Sequence, residues 1–117
     1  MHNFRNLDIW NEGIELVKKI YTMVEELPVE EKFGLKSQIC RAAVSIPSNI
    51  AEGCSRSTQA DFRRFLEIAI GSAFECETQL ILVKELNLID PKIIDPILQL
   101  LEIEQKKINS LISKRKT

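Results

Sequence analysis

Histidine is almost missing from this 117-residue chain: His2 is the only one. It sits in a terminus expected to fray, which excludes a His-based catalytic triad and a His-rich zinc site. A di-metal centre between helices wants a Glu-x-x-His motif on two of them, and the chain has none. Glycine is scarce as well, four isolated residues with no glycine-rich loop to cradle a phosphate. Cys40, Cys54 and Cys76 are odd in number and share no CxxC spacing, so no disulfide framework is expected. Cys40 and Cys76 fall at or near apolar faces, where a thiol behaves as a small hydrophobe. No apolar run approaches the ~20 residues of a membrane span; Leu80-Ile81-Leu82-Val83 is typical of the longest. The opening residues, Met-His-Asn-Phe-Arg-Asn, lack the apolar block of a signal peptide, so the expected compartment is the cytoplasm. A strongly basic balance is absent too. The formal net charge is −1, whereas a nucleic-acid module usually carries a clear positive excess. These absences leave no enzyme, cofactor, metal or small-molecule substrate to expect.

What is present is helical periodicity. An apolar content of 44% with 28% charged residues is ordinary for one globular domain spanning 1–117. Four helices are expected, over about 6–27, 30–54, 58–87 and 91–113. Short connections make consecutive helices antiparallel neighbours, so the expected fold is all-α, an up-down-up-down four-helix bundle. In the first helix, Asn6 is the expected N-cap, and Pro28 disfavours helix just before it. Its apolar residues, from Leu7 and Trp10 to Leu27, spread over roughly 200° of the surface, against a little over ~100° for a helix on one core. The surplus calls for a second copy of the chain, with Ile9, Leu16, Ile20 and Met23 as the expected interface positions.

The second helix carries Leu35, Ile39, Ala42, Ala43, Ile46, Ile50 and Cys54 on one face. Pro47 lies inside that pattern. Ile46 and Ile50 stay within about 60° of Leu35 when the count runs straight through the proline. One helix kinked at Pro47 is therefore expected, its Ala43 carbonyl deprived of a partner, with Gly53 ending it. The third helix opens on the capping pair Thr58 and Asp61 and closes on Asn87, a plausible left-handed cap. Its apolar arc is near 180° wide, and Ala69, Gly71, Ser72 and Ala73 fit either tight packing within the chain or a subunit contact. The fourth helix starts at Asp90-Pro91 or, five residues on, at Asp95-Pro96.

The charged residues offer one constellation. Glu52, Glu67, Glu75, Glu77 and Glu85 lie on largely polar arcs, as a solvated face would. Arg41, Arg56, Arg63 and Arg64, with Lys36 nearby, surround the polar side of the second helix and the turn after it. They read either as a solvated face paired with Glu52 and Asp61 or as an anion or phosphate-backbone contact. Lys114, Arg115 and Lys116 form a basic tail. Net charge by region is −2 for residues 1–28, +2 for 29–64, −6 for 65–104 and +5 for 105–117.

The stretch from Gln38 to Gly53, with its Ser-Ile-Pro-Ser-Asn-Ile-Ala-Glu-Gly core, is followed by Arg56 and by Phe62 to Ser72. Together these resemble the 23S rRNA intervening sequence protein family, and the match extends to Leu7, Trp10, Pro28, Glu31, Gly34, Leu35, Gln79 and Leu80. The resemblance implies a small antiparallel four-helix bundle assembled as a ring-like homopentamer, with a largely unknown biochemical role. A related group, the accessory variability determinant proteins of diversity-generating retroelements, is basic and binds nucleic acid; this chain departs from it in charge. The expected function is a non-enzymatic homo-oligomeric scaffold with weak RNA or ribonucleoprotein contact and no membrane. The alternative is a protein-binding adaptor that touches no nucleic acid.

Overall fold

A computed structural model describes residues 2–114. Four helices, α1 (Asp8–Met23), α2 (Leu35–Cys54), α3 (Gln59–Glu85) and α4 (Pro91–Lys114), form an antiparallel bundle of 44 × 22 × 20 Å. Chain reversals at each end follow local chemistry. Thr58 Oγ1 accepts the Asp61 N–H at 3.1 Å and opens α3. Asn87 closes it at φ 57°, with Leu88 N–H donating to the Val83 carbonyl and Asn87 N–H to that of Lys84. That pair of bonds is the Schellman arrangement, and it satisfies carbonyls the helix end would leave bare. Asp90 Oδ1 accepts the Lys92 N–H at 2.9 Å, so α4 begins at Pro91 and runs on through Pro96.

Two boundaries differ from expectation. Asn6 does not cap α1; it ends a 3-10 turn, Phe4–Asn6, which Asn3 caps by accepting the Arg5 N–H. Leu7 is extended and hands over to α1. The second helix starts five residues later than Glu30 suggests. Pro28 leads into a 3-10 turn, Val29–Glu31, and Gly34 at φ −101° and ψ −109° interrupts the helical run before Leu35. Glu31 Oε1 reaches forward to the Leu35 N–H at 3.4 Å. The helix then passes through Pro47 without interruption, as the apolar phase requires, and ends at Cys54. Just past the proline, Asn49 Nδ2 donates to the Ser45 carbonyl and hydroxyl, both at 2.8 Å. Ser45 Oγ also bonds Ser72 Oγ of α3 at 2.8 Å, which ties the proline turn to its neighbour.

The core lies on the bundle axis, with Ile20, Ile39, Ile46, Ile50, Leu66, Leu80, Ile94, Leu101 and Ile108 fully buried. Each such side chain contributes roughly 1.5–3 kcal/mol by leaving water. Ile9, Leu16, Ile20 and Met23 belong here and not to an oligomer interface: none is more than 5% exposed within one chain. Their i, i+4, i+7 spacing points them at the centre, and the surplus of the apolar arc is the flank beside them. At the α2–α3 seam, the most densely contacted in the bundle, a Cβ on Gly53 would stand 2.8 Å from Phe65 Cβ. Only a bare α-carbon permits that approach. Cys54 and Cys76 are buried free thiols and Cys40 is half-buried; burial pushes Cys76 up to about 12.

Candidate functional site

The antiparallel topology gathers one set of helix termini at each end of the bundle. The start of α1, the end of α2, the start of α3 and the end of α4 share one end, where Arg56, Arg63, Arg64 and Lys114 stand. Arg5 joins them, a residue that sequence reasoning missed because it lies 51 positions from Arg56. Phe65 sits between two guanidinium groups, Arg56 Cζ at 4.7 Å and Arg64 Cζ at 5.2 Å from its ring centroid. Arg5 covers Phe4 in the same way at 4.4 Å. Buried under these cations, Phe65 is no platform for a base. Arg56 pairs with Glu52 at 3.4 Å and Arg63 with Glu67 at 3.9 Å. The opposite end carries Glu25, Glu26, Glu30, Glu31, Glu85 and Asp90 together with Lys32, Lys84 and Lys92, so both signs of charge are present there.

Two expected members of the constellation lie elsewhere. Arg41 precedes Arg56 by about four turns of α2, roughly 22 Å along the axis. It lines a polar cleft of about 340 Å³ with Gln38, Ala42, Ser45 and Glu75. Lys36 is farther still and pairs with Glu25 at 3.1 Å. Arg115 and Lys116 lie outside the described residues.

A second surface is apolar. Phe4, Trp10, Ile14 and Val17 face Val44, Pro47, Ser48 and Ala51 across a groove of about 320 Å³ between α1 and α2. Tyr21, 47% exposed, continues it along α1. These residues are the surplus half of the first helix's arc. On α3, Phe74 at 56% exposure and Ile81 form a separate apolar ridge on the side toward α4.

The family model for the 23S rRNA-intervening sequence protein matches residues 5–110, nearly all of this bundle. The chain belongs to that family. Among solved structures, it is similar to a protein of unknown function from the S23 ribosomal protein family of Bacteroides thetaiotaomicron. The two share 27% identity over 93% of this chain and 99% of the other, with a TM-score of 0.81. No curated protein is a significant match.

In this member of the 23S rRNA-intervening sequence protein family, Glu75 and Glu77 of α3 engage neighbouring side-chain amides. Glu77 accepts from Gln105 Nε2 at 2.8 Å, and Glu75 from Gln79 Nε2 at 3.5 Å. Among the described residues, no group of three or more His, Cys, Asp or Glu is arranged to hold a metal ion. No helix of the described chain is long and apolar enough to cross a membrane. One carboxyl stands apart: Glu104 is 1% exposed, in the core. Its position, three residues after Leu101 and four before Ile108, marks a charge on the buried stripe of α4. That spacing was the signal available in the sequence.

Proposed function

We propose that the protein is a non-enzymatic scaffold, a ring of five copies closed through the α1–α2 groove, whose basic ends touch RNA or a ribonucleoprotein. The observation that carries the assembly is the uncovered groove formed by Trp10, Ile14, Val17, Val44 and Pro47. Family membership supports it, since the resemblance that led to the family implies such rings. Cyclic symmetry orients every protomer alike, and with the bundle axes set along the ring axis the cations at one end of each bundle line one rim. A ring of five carries a formal charge of about −5, which repels polyanions at a distance. The concentrated rim is what offsets that repulsion at contact. Light scattering tests the assembly: a mass of five chains is expected at micromolar concentration, and a monomer sinks the proposal.

The adaptor alternative has one observation in its favour. Arg56 and Arg63 already face Glu52 and Glu67, as a neutralised surface would. Titrating salt against a fluorescent single-stranded RNA separates the two. Phosphate contact gives a log–log slope near −0.7 for each neutralised phosphate. No binding even at low salt leaves the adaptor.

A further inference from the structure

Glu104 is buried in the bundle where α1, α2 and α4 meet. The location is set by close packing, because a Cβ on Gly13 would be 3.3 Å from Glu104 Oε2 and 3.3 Å from Pro47 Cβ. Gly13 therefore leaves room for the carboxyl, and the Pro47 ring closes the space from α2. Counted as ionised groups, Glu104 and its neighbour Glu12 leave three buried oxygens without a donor: Glu104 Oε1, Glu104 Oε2 and Glu12 Oε2. Such orphans are costly, and a second carboxylate beside the buried one raises the cost. The remaining oxygen of Glu12 is taken: Lys107 Nζ donates to Glu12 Oε1 at 2.5 Å.

One proton removes the like-charge repulsion and pairs two of the three orphaned oxygens. We propose that Glu104 and Glu12 share a single proton, and that this proton latches α1 to α4. Protonated Glu104 donates its O–H to Glu12 Oε2, while the ammonium of Lys107 holds the other oxygen of the same carboxylate. The chain Glu104–Glu12–Lys107 then crosses from α4 to α1 and back. Its polar balance is one neutral acid, one carboxylate and one ammonium.

The surroundings agree with this assignment. Burial first, then repulsion by Glu12 and hydrogen bonding to it, push Glu104 up to about 8, while Lys107 pulls the other way. The groups facing the pair are few. From α1 come Asp8 and Glu12, with Glu15 and Lys19 along the same cleft, and from α4 comes Lys107. From α2 only the Pro47 ring approaches. The α3 groups along α4, Glu77 and Lys84, are engaged by Gln105 and Asp95. The latch also lies at a vulnerable place, because α1–α4 is the most sparsely contacted seam between neighbouring helices. Two clefts, of about 460 and 340 Å³, run along it and are lined by Glu15, Lys19, Met23, Ile97, Leu100 and Ile103 among others. Loss of the proton places a bare charge beneath a seam with little else to hold it.

The sign follows from linkage. Glu104 keeps its proton in the closed state to a higher pH than in the open state, so closure is favoured below the ordinary carboxyl range. That advantage declines as pH rises and is gone above about 8. The test compares the full-length chain with Glu104→Gln, whose amide donates to Glu12 but does not titrate. Carbon-13 spectra of glutamate-labelled protein should show one carboxyl titrating near 8, absent from the Gln variant. Amide exchange of α1 and α4, taken relative to that variant, should rise by up to about tenfold per pH unit between pH 5 and 8 and then level off. Amides of the α2–α3 seam should not follow. Glu12→Gln, which removes the repelling charge, should move the transition to lower pH and supplies the test should Glu104→Gln not fold. A Glu104 carboxyl titrating in the ordinary range overturns the shared proton. Exchange that rises equally in all four helices overturns the latch.

Discussion

At the scale of single residues, the bundle tolerates least where two backbones meet. Gly53 brings α2 against α3 closely enough that an added Cβ would lie 2.8 Å from Phe65 Cβ, an atom that moves only with its backbone. Gly53→Ala gains about 1 kcal/mol of helix propensity. It must also force the seam apart, which typically costs about 1–3 kcal/mol. Net destabilisation is expected, read as a lower urea midpoint, and a more stable variant would show that the seam can yield. Glu104 shows the opposite kind of constraint, a polar group kept in the core by its proton. Because its carboxyl is raised to about 8, Glu104→Gln should stabilise the chain relative to wild type at pH 9 by more than it does at pH 5. A stability difference that stays constant from pH 5 to 9 would contradict this. The sequence pattern marked Gly53 as a stop, yet its decisive role is contact with Phe65, a residue of the next helix.

Elements were legible wherever their ends are governed by neighbours in sequence. Thr58 with Asp61, and Asn87, act within a few residues and do so in the fold. The start of α4, open in sequence between Asp90-Pro91 and Asp95-Pro96, is set at Pro91 with Asp90 accepting the Lys92 N–H. Asn87 offers a direct check. Its φ of 57° costs an alanine roughly 1–2 kcal/mol and a glycine nothing. Thermal melts should rank Asn87→Ala below wild type and Asn87→Gly level with or above it; an unchanged alanine variant would argue against the cap. The start of α2 was harder to read, since Glu30 and Glu31 suit a helix N-terminus as well as they suit a 3-10 turn. Glu31 settles the matter through its side chain, which accepts the Leu35 N–H across Gly34. Pro47 was legible for another reason: apolar phase is a property of the whole element, and the surrounding isoleucines keep it.

For the whole molecule, the informative feature is the division of the first helix's apolar arc. Val44 stands at the groove and is 39% exposed, whereas Ile20 is fully buried. Val44→Glu should lower the mass in light scattering while circular dichroism stays helical. Ile20→Glu should unfold the chain. If Val44→Glu leaves the mass unchanged, the groove is not where copies meet. The basic end supports a parallel experiment. Arg64 and Lys114 are exposed and do not line the groove, so Arg64→Glu with Lys114→Glu should weaken RNA binding and flatten its salt slope without changing assembly. Equal binding by this double variant would move the contact elsewhere.

Periodicity and capping by themselves determined four helices, their antiparallel order and the path through Pro47, because those signals act along one chain over a few turns. The motif around Ser45, Pro47 and Asn49 also carried the family. Which half of a wide apolar arc becomes core was decided only by packing, since Ile20 and Val17 are equally apolar in sequence and differ in what stands opposite them. The same holds for charge. Arg5, Arg56 and Lys114 become one basic end only when four helices fold back on each other, and Arg41 leaves the group for the same reason. Glu104 is the sharpest case: its place on the apolar stripe was visible. Its partner Glu12 lies 92 residues away, and the proton between them exists only where α1 and α4 exclude water.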